Sequence, residues 1–217
     1  MEFRTAAADR FASEFDAATA VFCHQNEYPP VDGEWRASVD QRLPVGLRSI
    51  LGEALTAGLI ELPSGTSGFR LPALPGKGPY ALFSRSSRGV PAPNWEYYVQ
   101  LAEYARVTAA AERNGWSIGF EDDLMDVSVY QDGRLLWCIE VKERARGLSR
   151  LIQQIAEHGR ALDWSKNDRG DDPLRKAKYL ATRQPSWFSV VAIGERHDFS
   201  VSFNGERFEL HRDVLPL

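Results

Sequence analysis

The stretch that most constrains this chain is LMDVSVYQDGRLLWCIEVKE, residues 124–143. Met125, Val127 and Val129 alternate with Asp126, Ser128 and Tyr130, the period of a half-buried strand. Asp132-Gly133 is a two-residue turn signal, and residues 135–139 return as an almost wholly apolar strand that ends in Glu140-Val141-Lys142. A buried strand that closes on two charges of the same face must pair them or carry them to the rim of a sheet, because unpaired buried charge is costly. Asp126 stands at the mouth of the same hairpin.

Two carboxylates on adjacent strands, Asp126 and Glu140, with the main-chain carbonyl of Val141, are the hard oxygen donors that Mg²⁺ or Mn²⁺ prefers. Lys142 follows Glu140 by two residues and shares its face, where an ammonium orients an attacking water or offsets charge on a phosphate. The chemistry this set suggests is metal-assisted hydrolysis of a phosphodiester. Register limits that reading. With a clean two-residue turn Gln131 pairs with Arg134, Asp126 lies opposite Ile139, and Glu140 faces away. Asp126 and Glu140 share a face only if the loop has three residues or one strand is bulged. An ordinary hairpin with charged ends needs no such adjustment and remains the other reading. Asp123, in the acidic triplet Glu121–Asp123, competes with Asp126 as ligand.

Asp, a spacer, then Glu-x-Lys closing a hydrophobic strand resembles the PD-(D/E)XK nuclease superfamily, the restriction-endonuclease-like fold. The resemblance covers roughly the C-terminal half, and Met125 stands where the family usually has Pro. It implies an α/β domain with an αβββαβ core, Asp126, Glu140 and Lys142 as catalytic residues, and a Mg or Mn cofactor. It also implies an acid from the helix before the hairpin, for which Glu96 is the candidate; a solvated glutamate at a helix start is the bland alternative. The activity implied is Mg-dependent endonuclease or exonuclease action on DNA, with RNA as a further substrate class, in restriction, phage defence or repair. A homodimer is compatible with cutting both strands. The alternative is a nuclease fold without activity, retained as a protein-binding or nucleic-acid-binding module.

The order of elements agrees with that core. Pro93-Asn94 opens a helix with Tyr98, Leu101, Ala105 and Ala109 on one stripe; residues 116–120 form a strand before the hairpin; residues 147–162 and 173–182 read as helices; residues 187–193 are a buried strand. A last hairpin, 199–203 and 207–210, turns at Asn204-Gly205. The expected organisation is a mostly helical N-terminal region over 1–72, a Pro/Gly/Ser-rich linker over 73–93, and a nuclease-like domain over 94–217. Helices followed by a hairpin at 59–62 and 68–71 give the N-terminal region the order of a winged helix, but residues 1–92 hold nine Lys/Arg against ten Asp/Glu, little base for a groove reader.

Net charge is −4, so any affinity for nucleic acid must be local. Residues 143–183 supply it, with ten Lys/Arg against six acids. Arg144, Arg146, Arg150, Lys176 and Lys178 are the candidate phosphate contacts. Two cysteines, Cys23 and Cys138, read as free thiols of a reducing cytoplasm, and no run of apolar residues reaches membrane-spanning length. The four histidines are dispersed, without zinc-ligand spacing, and no nucleophile elbow or dinucleotide-binding glycine pattern appears.

Overall fold

The computed structural model describes residues 2–213 and 215. It is a mixed α/β structure in two compact units, Met1–Arg106 and Val107–Leu217.

The first unit opens with three helices, α1 (Glu2–Gln25), α2 (Gly33–Arg42) and α3 (Val45–Thr56). Phe11, Phe15, Ala18 and Phe22 recur at helical spacing on α1, and all four are buried. Asp32 caps α2 by accepting the Trp35 N–H at 2.8 Å, and Pro44, which has no N–H to leave unpaired, precedes α3. Chain pairing beyond α3 is slight. Glu61 and Arg70 form a single antiparallel bridge where the longer hairpin was expected. β1 (Gly68–Phe69) pairs instead with β2 (Tyr80–Ala81), and β3 (Phe83–Ser84) with β4 (Ala92–Pro93). Leu82 and Phe83, inside the expected linker, are buried, and the Phe83 ring lies 5.3 Å from that of Phe15. Pro- and Gly-rich sequence here marks irregular but packed chain. α4 (Trp95–Asn114) carries the change from the first unit to the second.

The second unit is built on a six-stranded sheet. β5 (Ser117–Asp122), β6 (Met125–Gln131) and β7 (Arg134–Lys142) are consecutive antiparallel strands; α5 (Leu148–Arg160) and α6 (Asp172–Arg183) follow; then come β8 (Trp187–Ala192), β9 (Glu195–Asn204) and β10 (Arg207–Arg212). Strand order is β10-β9-β8-β7-β6-β5, and only β7 and β8 run parallel. A parallel pair needs a long crossover, and α5 and α6 provide it. Leu148 and Ile155 of α5, with Ala177, Leu180 and Ala181 of α6, join Cys138, Phe188 and Phe208 in one core cluster. Gly159 is required on α5: a Cβ there would lie 2.6 Å from the Phe208 ring.

The β6–β7 hairpin has both a two-residue turn and a bulge. Gln131 pairs with Arg134 across Asp132-Gly133, whose φ values of 50° and 75° are those of a type I′ turn. Tyr130 then pairs with Leu135, but Val129 pairs with Trp137, so Leu136 is an extra residue on β7. The last hairpin turns one residue later than its sequence suggests. Asn204 pairs with Arg207, leaving Gly205-Glu206 as the turn with Gly205 at φ 63°, the first-position glycine of a type II′ turn.

Candidate active site

The bulge at Leu136 decides the geometry at the open end of the hairpin. Val127 pairs with Ile139, so their neighbours Asp126 and Glu140 both turn to the opposite face of the sheet. Asp126 is half-buried, and its Oδ2 accepts the Val141 N–H at 2.5 Å. A carboxylate thus takes a strand N–H just beyond the last β6–β7 pair, which fixes Asp126 against β7. Val141 itself is fully buried and pairs with Val191 of β8.

Glu140 is 2% exposed and carries an ammonium on each oxygen. Lys142 Nζ lies 2.5 Å from Oε1, and Lys176 Nζ, reaching down from α6, lies 3.1 Å from Oε2. Lys176 is bound on its other side to Asp172 Oδ1 at 3.0 Å, four residues back on the helix, and Asp172 also holds Arg175 at 2.8 Å. The result is a chain of alternating charge, Lys142–Glu140–Lys176–Asp172–Arg175, running from the end of β7 on to α6. It is buried at Glu140 and Lys176 and opens to solvent at both ends, Lys142 and Arg175. Burying charge is tolerable here because each buried member has two partners.

Neighbouring groups are neutral. Burial, and then the Glu140 charge, pushes the Cys138 thiol far above its ordinary range, and burial does the same to the Tyr179 hydroxyl. Asp172 goes the other way. Burial alone would raise its carboxyl, but Lys176, followed by Arg175, holds it below the usual value. A lowered folded-state pKa means that this contribution to stability is complete above the unfolded value near about pH 4 and is lost as pH falls through the lower folded value. Asp172→Asn is therefore expected to flatten the acid limb of the stability profile while leaving its slope above about pH 5 unchanged, as read by urea midpoints across pH.

Other sequence candidates fall elsewhere. Asp123 is exposed in the β5–β6 turn at φ 66°, with Arg183 at 4.0 Å. Glu96 is in the first turn of α4, in the first unit, whereas Asp126, Glu140 and Lys142 are in the second. Arg144, Arg146 and Arg150 are exposed just after β7, with Arg144 3.2 Å from Glu143. Lys178 donates to the carbonyls of Lys166 and Trp164, at 2.6 and 3.3 Å, and so ties down the loop before α6. Lys176 is buried rather than exposed, with Glu140 and Asp172 as its partners. Sequence reasoning missed that role. The available signal was its spacing: Lys176 is four residues before Leu180 and three before Tyr179, on the apolar side of α6.

Among the described residues no group of three or more His, Cys, Asp or Glu is placed to hold a metal ion. Mg²⁺ does not require one, since it keeps several waters and commonly takes only one or two carboxylates besides phosphate oxygens. Asp126 and Glu140 offer two carboxylates on one face, with both oxygens of Glu140 held by ammoniums in this structure. Cys23 and Cys138 are buried free thiols, and no helix among the described residues is long and apolar enough to cross a membrane. Compared with known proteins, the chain matches no family model, no curated protein and no solved structure.

Proposed function

We propose that this chain is a metal-dependent nuclease that hydrolyses phosphodiester bonds in DNA, with a restriction-endonuclease-like core from α4 to β8. One observation carries the reading: the bulge at Leu136 turns Asp126 and Glu140 to the same face, with Lys142 beside them, the arrangement that an unbulged hairpin forbids. The order α4, β5, β6, β7, helix, β8 supports it, with α6 added to the crossover.

In this mechanism Asp126 and Glu140 would hold Mg²⁺ or Mn²⁺, with the Val141 carbonyl as the main-chain candidate. When bound, the ion lowers the pKa of a coordinated water and offsets charge on the phosphate oxygens. Asp126, anchored on the Val141 N–H, supplies a rigid oxygen donor. Lys142, which lies on Glu140 in this structure, would orient the attacking water and stabilise the charge that builds as the P–O bond to the leaving oxygen breaks. The exposed Arg144, Arg146 and Arg150 then hold the strand.

The test is cleavage of plasmid and single-stranded DNA in Mg²⁺ or Mn²⁺ by wild type, Glu140→Gln and Lys142→Met. Cleavage by wild type that stops with chelator and in both folded variants is the expected result. A wild type that cuts neither substrate in either metal removes the assignment. A second reading has its own observation, the two ammoniums that already neutralise Glu140. On that reading the charge chain only pins α6 to the sheet, the fold serves as a binding module, and Lys142→Met leaves nucleic-acid or protein binding intact.

A further inference from the structure

Glu140 is held by two lysines of different kinds. Lys176 has a 4% exposed side chain and a second carboxylate, Asp172, on its far side; Lys142 is 35% exposed and ends a strand. The first cannot leave without stranding a buried ammonium, whereas the second can move into water at little cost. A cation approaching Glu140 meets an oxygen already engaged, and both ammoniums repel it. A phosphate approaching the same rim attracts Lys142 away from Oε1.

We propose that Lys142 is the releasable half of a two-lysine lock on Glu140, so that cation binding at Asp126 and Glu140 depends on nucleic-acid phosphate, while Lys176 stays in place and positions the carboxylate. The inference deepens the nuclease reading, on whose metal site it rests. No bond is made or broken in this step. The contact of Lys142 with Glu140 is exchanged for contacts of Lys142 with phosphate and of Glu140 with the cation.

Mn²⁺ binding to the full chain, followed by calorimetry with and without a phosphorothioate oligonucleotide that resists cleavage, tests it. Wild-type affinity for Mn²⁺ is expected to rise on the order of tenfold when the oligonucleotide is added, the scale on which groups around metal ligands act. Lys142→Met is expected to show the raised affinity without oligonucleotide and to respond little to it. Arg175→Met, which removes a positive charge from the same cluster but not from Glu140, should behave as wild type. Lys176→Met leaves the Lys142–Glu140 pair in place and should keep the response to the oligonucleotide; if it fails to fold, the Lys142→Met result decides alone. The lock is overturned if Lys142→Met binds Mn²⁺ no more tightly than wild type, if Arg175→Met matches Lys142→Met, or if the oligonucleotide leaves wild-type affinity unchanged. Cleavage of unmodified DNA by wild type, run alongside, reports on the nuclease reading separately. Coupling without cleavage keeps the lock and removes the catalysis, and cleavage without coupling does the reverse.

Discussion

Glu140→Ala is expected to destabilise the second unit by about 3–5 kcal/mol, the cost of breaking a buried ion pair by removing one partner. The loss comes from the group left behind. Lys142 relaxes into solvent, but Lys176 at 3% exposure keeps its charge in the interior with only Asp172 to balance it. Glu140→Gln keeps the shape and one acceptor, so it should cost less and remain folded enough for the cleavage assay. The decisive comparison is the double variant Glu140→Leu with Lys176→Met. Replacing both charges by apolar groups removes the stranded ammonium, and the double variant should be more stable than Glu140→Ala. Hydrogen exchange at the β7 and β8 amides in urea reads the effect where the pair sits. A Glu140→Ala protein with unchanged protection at Cys138 to Val141 would mean that the charge chain holds nothing together.

The bulge was legible as a requirement before it was visible as a feature. Residue parity from Asp132-Gly133 back to Asp126 and forward to Glu140 left an inserted residue, or a longer loop, as the only ways to bring the carboxylates together. The turn kept two residues and the insertion went to Leu136. Nothing in VYQDGRLLW names that position, because a bulge is chosen by packing on both faces, which periodicity does not report. Lys176 was hidden for a related reason. A run of basic residues on a helix has an inside and an outside only once the rotation of the helix is known. α6 turns Leu174, Ala177 and Leu180 inward and brings Lys176 with them to Glu140, while Arg175 stays at the surface. β9 begins at Glu195, four residues before its apolar part, because polar pairs carry that end. His197 meets Glu195 at 2.6 Å, and Asp198 takes both Arg196 and the Ser189 hydroxyl. Such pairs contribute nothing to a hydrophobic pattern, so the strand looked shorter than it is.

Two glycines about 9 Å apart along one helix, at about 1.5 Å of rise per residue, are expected to give substitutions of opposite sign. Gly52→Val on α3 should cost about 3 kcal/mol or more, because its Cβ would stand 1.8 Å from the Ala7 carbonyl oxygen of α1 and 2.5 Å from the carbonyl carbon. Both are main-chain atoms, with no side-chain rotation to relieve the clash, so α1 and α3 must separate along the line where they are closest. Gly46→Ala lies six residues earlier, near the start of α3, with nothing within 4 Å of the added methyl. There the only change is the lower backbone entropy of the unfolded chain and the higher helix propensity of alanine, a gain of up to about 1 kcal/mol. Exchange protection of the α1 and α3 amides in the two variants, compared with wild type, separates the cases. If Gly52→Val left that protection unchanged, the close approach of the two helices would be wrong, and with it the reason for a glycine in the middle of α3.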